Sequence, residues 1–253
     1  MTEKLLHEIF NDAAYIILDM AWPKKCDFIA ACYYGNFEKV KSTRYISFNQ
    51  LEKGFEPTCK AGYNAIAIII LEIMKTRKSV YKFCDLGLGY ACYGGHLILV
   101  QIMIKYGAKH FDWGLRSACE GGYPDLVDLM IENGANNFNS GLSFACKGNN
   151  PELVDLMIHK YGAREFNYGL TSACEGGHKD LAKFMITLGA TEYIGGFFSS
   201  VKGNHPDLAK LMAEYNPGLY SEYQPWMNGT GPLPPPVSLY DDDSDEYDSD
   251  EYD

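Results

Sequence analysis

The sequence predicts an all-α solenoid of seven short helical units, followed by a disordered acidic tail. Three observations support this prediction. A cysteine recurs at a nearly constant interval, each interval repeats the same order of small residues, glycine and apolar helix, and the pattern stops near Pro217. Two short helices are not stable alone and bury their apolar faces against copies of themselves, which is the physical basis of a solenoid.

Composition and charge narrow the class of protein. The chain has 253 residues and 47% hydrophobic residues, enough for a substantial core. Residues 241–253 hold nine acidic residues, and removing these from the net charge of -11 leaves -2. A nearly neutral body gives no electrostatic basis for binding nucleic acid. No apolar run reaches the roughly 18 residues of a membrane span, so no membrane partner is predicted.

Residues 1–25 precede the repeats. The stretch 3–20 is apolar on one side and is predicted to form a helix that caps the open end of the solenoid; binding a partner is the alternative. The apolar side comprises Leu5, Ile9, Ala13, Ile16 and Ile17. Polar residues such as Glu3, His7 and Glu8 interrupt the apolar core that a signal peptide needs. We therefore predict an intracellular protein, not a secreted one, with reduced cysteines.

The repeats extend over residues 26–217. Successive positions Cys92, Cys119, Cys146, Cys174 and Val201 are 27, 27, 28 and 27 residues apart. Cys32 and Cys59 are also 27 apart, and the step from Cys59 to Cys92 is 33. Methionines follow the same phase at Met103, Met130, Met157, Met185 and Met212. This periodicity predicts seven units.

Each unit is predicted to contain two helices. In "GLRSACEGGYPDLVDLMIENGA" (114–135), the first helix is "GLRSACEGG" and ends at Gly122. Pro124 suits the first position of the second helix, where its missing N–H has no intrahelical partner anyway. Apolar residues cover more than one stripe of that helix, so it is predicted to pack on two sides. Gly134 is predicted to be its left-handed C-cap.

These units resemble the ankyrin repeat. Leu115 resembles the family's leucine, Ala118-Cys119 its Ala-Ala pair, and Gly134-Ala135 its closing Gly-Ala. His96, His178 and His205 stand at its Gly-His position. The resemblance covers roughly residues 26–218 and is strongest over 87–215. It implies stacked helix pairs with a concave face that binds proteins.

This chain departs from the ankyrin pattern in the link between units. The family's Thr-Pro-Leu-His segment is missing, and "WGLR" (113–116) stands in its place. The link is about six residues shorter than in a 33-residue repeat, so the β-hairpin fingers are predicted to be truncated or absent. Short units of this kind most resemble the ankyrin proteins of giant nucleocytoplasmic DNA viruses. That resemblance implies a viral protein in the host cytoplasm or nucleus.

The recurring cysteines and histidines raise the question of chemistry. A catalytic cysteine needs a partner base at a singular site, whereas Cys119 has equivalents in several units. Ligands 27 residues apart would be stacked one unit apart, not gathered around a zinc ion. The phase favours buried packing cysteines and capping or packing histidines. No enzyme, metal, cofactor or small-molecule substrate is predicted, although a catalytic constellation without a sequence signature remains an alternative.

The candidate site is the set of positions that change from unit to unit. In a solenoid such positions often face solvent or a partner. By the ankyrin resemblance they would line the concave face, and aromatic residues there are candidate anchors. Some of these aromatics could instead pack against the short links. The candidate residues are Trp113, Ser117, Glu120, Phe144, Lys147, Tyr168, Ser172 and Glu175. Phe111, Phe138 and Phe166 recur in phase and are predicted to be core.

The tail, residues 218–253, is predicted to be a disordered proline-rich linker and acidic segment. Its "PLPPP" (232–236) is either a spacer or a polyproline ligand, and "DDDSDEYDSDEYD" (241–253) cannot collapse into a core. Two functions follow. The first is a non-catalytic scaffold that binds a partner protein on the concave face. The alternative is a polyanionic tail that engages basic proteins, with the solenoid as its carrier.

Overall fold

A computed structural model of the chain describes residues 28–43, 46–76, 80–217 and 223–232. Regular structure in these ranges is helical throughout, without a strand, which confirms the all-α prediction. The helices are α1 Phe28–Tyr33, α2 Phe37–Ser42, α3 Phe48–Lys60, α4 Asn64–Thr76, α5 Val80–Tyr93, α6 Leu97–Lys105, α7 Phe111–Gly121, α8 Pro124–Glu132, α9 Phe138–Lys147, α10 Pro151–His159, α11 Phe166–Gly176, α12 Lys179–Thr187, α13 Tyr193–Lys202, α14 Pro206–Tyr215 and α15 Gln224–Met227.

Helices α1 to α14 form consecutive pairs, here called units 1 to 7, each with a first and a second helix. Every first helix packs against the first helix of the next unit. Second helices pack mainly on the first helix of their own unit, and only α2 and α4 approach each other closely in the described residues. Because the first helices lie closer together than the second helices, the solenoid curves with the first helices on its inner face.

The core contains buried Phe, Leu, Ile and Val side chains, and small residues, cysteines and methionines recur in it from unit to unit. The seven described cysteines are buried, and Cys26 lies outside the described residues. A Cβ added to the buried Gly141 would lie 2.9 Å from Sδ of Met157 and 3.4 Å from Sγ of Cys119. This glycine therefore leaves space for Met157 of its own unit to pack beside Cys119 of the preceding unit. Gly114, Gly169 and Gly196 repeat the arrangement.

The helix ends follow the sequence pattern. Gly122 has a φ of +82° and is the left-handed C-cap of α7, and Gly134 follows α8 with a φ of +111°. Pro124 is the first residue of α8. The first helices are longer than predicted, however, since α7 begins at Phe111 instead of Gly114. Phe111 is half-buried against the core, and this contact extends the helix by three residues.

The short links between units are held by side-chain oxygens from the preceding first helix. Oδ1 of Asp112 accepts hydrogen bonds from the backbone N–H groups of Asn136, at 2.8 Å, and Asn137, at 2.9 Å. Asp85, Asn139 and Asn167 bind the corresponding links in the same way. One carboxylate or amide thus satisfies two backbone donors per link.

The C-terminal boundary of the fold differs from the prediction. Residues 218–253 were expected to be disordered, but α15 lies within this range and buries Tyr223, Trp226 and Met227. Nε1 of Trp226 donates a hydrogen bond to Oδ1 of Asn204 at 3.3 Å. The reason for the difference is that apolar side chains at 223–227 cover the end of unit 7. The predicted capping helix within residues 1–25 and the acidic segment 241–253 lie outside the described residues.

Candidate protein-binding surface

In units 2 to 7, the inner face of the solenoid carries one side chain per unit directly after the cysteine position. We call these residues the inner row: Lys60, Tyr93, Glu120, Lys147, Glu175 and Lys202. Each lies near the end of a first helix, and adjacent first helices pack side by side. Repetition of the backbone therefore brings these chemically different side chains into one line.

The C-terminal part of the inner row is an alternating series of charges. Nζ of Lys147 lies 3.8 Å from Oε1 of Glu120 and 3.6 Å from Oε1 of Glu175. Nζ of Lys202 lies 3.7 Å from Oε1 of Glu175. Such partly exposed pairs contribute about 0–1 kcal/mol each. The structure thus brings three predicted site residues, Glu120, Lys147 and Glu175, into one network with Lys202 in which the charges offset one another.

Cations and aromatic rings also alternate on this face, from unit 2 to unit 5. Nζ of Lys60 lies 5.4 Å from the ring centroid of Tyr90 and 5.5 Å from that of Tyr93. The ring of Phe144 has Cζ of Arg116 at 5.4 Å and Nζ of Lys147 at 5.6 Å. Contacts of this kind are worth about 0.5–1 kcal/mol at exposed sites. They orient rings that remain partly accessible.

Trp113 is half-buried and connects two units. Its ring lies 6.0 Å from that of Tyr90 in an edge-to-face arrangement. A Cβ on Gly89 would lie 2.7 Å from Cε2 of the indole, so the ring rests directly on the backbone of α5. One edge of the indole borders a depression of about 240 Å³, which is also lined by Lys109, His110, Phe111, Asp112 and Arg116.

Tyr168 is the most exposed of the candidate aromatic residues, with 63% of its surface accessible. Ser172, one turn further along α11, is half-buried, and its Oγ lies 2.6 Å from Oγ of Ser143 in α9. Tyr168 is thus free to contact a partner, while Ser172 links two first helices.

Ser117 does not belong to the accessible surface, contrary to the sequence expectation. Only 8% of it is exposed. Its position in the unit is occupied by Tyr90 in the preceding first helix and by Phe144 in the next. A serine side chain is too short to extend past these rings, so it lies between the helices.

The cysteines lie in the core, as their phase predicts. Burial raises the pKa of Cys92, Cys119 and Cys146 to about 12, and that of Cys174 to about 11. These thiols stay protonated near neutral pH and are poor nucleophiles. Within the described ranges, no group of three His, Cys, Asp or Glu side chains is arranged to hold a metal ion.

In units 3, 5 and 6, the residue before the second helix joins its unit to the preceding one. Nε2 of His96 donates to the carbonyl oxygen of Lys60 at 2.8 Å, and Nε2 of His178 to that of Lys147 at 2.9 Å. Asn150 takes the same role through Nδ2, which donates to the carbonyl oxygens of Cys119 and Glu120. The packing interpretation of His96 and His178 is confirmed. Sequence reasoning missed Asn150. It could have been found, because Asn150 has the same position in its unit as His96 and His178.

Comparison with known proteins adds no assignment. None of the protein-family models matches the chain, and none of the curated proteins matches it. Over the described residues, no helix has both the length and the apolar character needed to cross a membrane. What is established is an all-helical repeat solenoid with a continuous inner face.

Proposed function

We propose that this chain is a non-catalytic scaffold or adaptor of the ankyrin-like type, which binds a partner protein on its concave inner face. One observation carries the proposal. The packed first helices repeat the same framework from unit to unit, while the side chains on their accessible side differ. A surface with a rigid support and varied residues suits selective protein recognition.

The aromatic residues on this face are the proposed anchors. Tyr168 is largely exposed, whereas Trp113 and Phe144 are half-buried and held by neighbouring side chains. Aromatic residues gain most from burial by a partner and lose little conformational entropy when they are already oriented. Glu120, Lys147 and Glu175 lie on the same first helices and pair with one another, and Lys147 also lies over the ring of Phe144.

A capture experiment tests the proposal. We expect the Trp113→Ala/Tyr168→Ala variant to lose at least tenfold in affinity for a protein that the full chain captures, because interface anchors are worth more than about 1.4 kcal/mol. Phe184→Ala is the matched control, since Phe184 is 38% exposed and lies on a second helix. Full retention of the partner by the double variant, with the control also unchanged, would assign binding to a different surface.

The cellular setting is part of the same proposal. We propose an intracellular protein, acting on host proteins in the cytoplasm or nucleus if it is viral, as its likeness to giant-virus ankyrin proteins suggests. The seven described cysteines are buried thiols, which supports a reducing compartment. Trapping thiols with an alkylating reagent during lysis checks this setting. Disulfide-bonded chain recovered from cells would contradict it.

The acidic tail supports a second candidate function. The charges of Glu120, Lys147, Glu175 and Lys202 offset one another, whereas residues 241–253 concentrate nine acidic residues. A polyanion of this kind attracts basic proteins, with the solenoid as carrier. Truncation after residue 240 separates the two functions. Binding that disappears with the tail and weakens steeply with salt favours the polyanion.

A further inference from the structure

The outer surface of units 2 and 3 lacks the charges that the same positions carry in later units. The second and fifth residues of each second helix are charged in all four later units: Asp125 and Asp128, Glu152 and Asp155, Asp180 and Lys183, Asp207 and Lys210. In units 2 and 3 these positions hold Ala65, Ile68, Ile98 and Gln101. Ile98 is 50% exposed, and the adjacent Leu97 is 45% exposed.

The apolar residues belong to two neighbouring helices. A Cβ on Gly62, just before α4, would lie 2.5 Å from the ring of His96, just before α6. At the other end, the hydroxyl of Tyr106 donates to Oε1 of Glu72 at 2.6 Å. Helices α4 and α6 are thus connected at both ends. Leu97 and Ile98 are exposed beside them, and Ala65 and Ile68 are half-buried. We call these four residues the outer patch; exposed apolar surface of this kind marks an interaction site.

We propose that the chain's own N-terminal segment, residues 3–20, covers the outer patch as an amphipathic helix, and not the open end of unit 1 that the sequence alone predicts. Its apolar residues recur at helical spacing, from Leu5 and Ile9 to Ile16. A helix of this length measures about 27 Å, enough to cross two or three outer helices spaced about 10 Å apart. Residues 21–27 can extend over roughly 24 Å, which allows the segment to pass from the start of α1 to the outer layer.

Charge and size favour this occupant over a second copy of the chain. In a helix, Glu8, Asp12 and Asp19 would border the apolar stripe of the segment, and the two helices of the patch end with the exposed Lys75 and Lys105. A stable dimer needs about 800 Å² per partner, more than four side chains provide. A tethered segment needs less surface, because its effective concentration is in the millimolar range.

Hydrogen exchange of the full-length chain, followed by mass spectrometry, tests the proposal. We expect residues 5–17 to exchange at least tenfold more slowly than an unstructured peptide in the wild-type monomer. Ile98→Asp, which introduces the acidic type found at the equivalent position of later units, should remove most of this protection. Ile68→Asp/Ile98→Asp should remove it entirely. Ile194→Asp is the matched control, since Ile194 is 43% exposed and lies on unit 7.

Each alternative outcome overturns the proposal. Fast exchange of residues 5–17 in the wild type would show that the segment does not dock. Protection retained in Ile98→Asp and in the double variant would place the segment elsewhere, such as across the open end of unit 1. Light scattering that shows a dimer dissociated by Ile98→Asp would assign the outer patch to a second copy. Circular dichroism of each variant verifies that the solenoid is folded.

Discussion

At the scale of single residues, units 3 to 7 each approach the backbone of the preceding unit at the glycine two positions after the cysteine position. In unit 5 this residue is Gly148, which has an ordinary negative φ of -82°. A Cβ there would overlap the carbonyl oxygen of Glu120 in the preceding unit. Glycine is needed here for space and not for backbone conformation, because two helix ends are stacked almost in contact.

We therefore expect Gly148→Ala to lower the free energy of unfolding by about 2–3 kcal/mol, the usual effect of overpacking against a backbone atom. Gly195→Ala is the control, since its new Cβ would meet only the methyl carbon of Thr171 at 3.0 Å. That helical site should change by less than about 1 kcal/mol. Urea unfolding measures both. Equal effects at the two sites would show that helix propensity, and not the contact between units, governs Gly148.

The buried cysteines predict the response of stability to alkaline pH. Their folded pKa values lie above the unfolded value of 9.0, near 12 for Cys119 and Cys146. Stability is therefore complete below pH 9 and falls as pH rises toward 12, because the unfolded state loses its thiol protons first. Each thiol contributes a slope of up to about 1.4 kcal/mol per pH unit. Urea unfolding between pH 8 and 10.5 should show the loss, and Cys119→Ala/Cys146→Ala should reduce the slope. An unchanged slope would contradict this assignment.

At the scale of secondary-structure elements, the second residue of a first helix binds the backbone of the link that leads to the next unit. Asp112, the second residue of α7, accepts hydrogen bonds from two backbone N–H groups just before α9. Asn139 and Asn167 have the same place in α9 and α11. In α13 the equivalent residue is Ile194, the first of this series without a side-chain oxygen. This pair of hydrogen bonds, here called the clamp, is therefore missing where the array of units ends.

Asp112→Ala should destabilise the chain by about 1–3 kcal/mol, since two exposed backbone N–H groups exchange a charged acceptor for water. Asp112→Asn should restore most of the stability, because the amide retains Oδ1 in the role it has at Asn139. Asp125→Ala, an exposed position in the first turn of α8, is the control. Thermal unfolding measures all three. If the negative charge of Asp112 stabilises the chain and its two hydrogen bonds do not, Asp112→Asn will be as unstable as Asp112→Ala.

At the scale of the whole molecule, each unit is stabilised by its neighbours, so the ends need separate protection. Helix α15 provides it at the C-terminal end. Tyr223 packs against Phe197 and Phe198, with ring centroids 5.2 and 6.1 Å apart, and Trp226 is only 7% exposed. Asn204 has the position in unit 7 that Gly177 has in unit 6. Trp226 bonds to Asn204, just as His205 of the following unit contacts Gly177. A single turn thus substitutes for a further unit.

Trp226→Ala should lower the free energy of local unfolding at the C-terminal end by about 3–5 kcal/mol, so that unit 7 unfolds first. Hydrogen exchange should accelerate at least tenfold in α13 and α14, with little change in α7 and α8. This gradient follows because each unit contacts mainly its neighbours. Uniform acceleration along the chain would mean that the solenoid unfolds as one cooperative block. Tyr168→Ala, at a 63% exposed residue of α11 and therefore outside unit 7, is the control for a lost aromatic ring.

Much of the framework follows from the sequence alone. The interval of 27 or 28 residues between Cys92, Cys119, Cys146 and Cys174 predicts the helix pairs and their buried residues. It does so because a close-packed stack requires the same small residues at every contact. The left-handed cap at Gly122 and the start of α8 at Pro124 follow from local backbone preferences.

Only the tertiary structure decided which of the varying side chains are accessible and which connect the units. It buries Ser117, exposes Tyr168 and pairs Lys147 with two glutamates. It also assigns Asp112 to the next link and places Trp226 against unit 7. All of these contacts join residues more than 20 positions apart or depend on the size of neighbouring side chains in adjacent units. Periodicity locates the units, whereas such contacts depend on how closely the folded units approach one another.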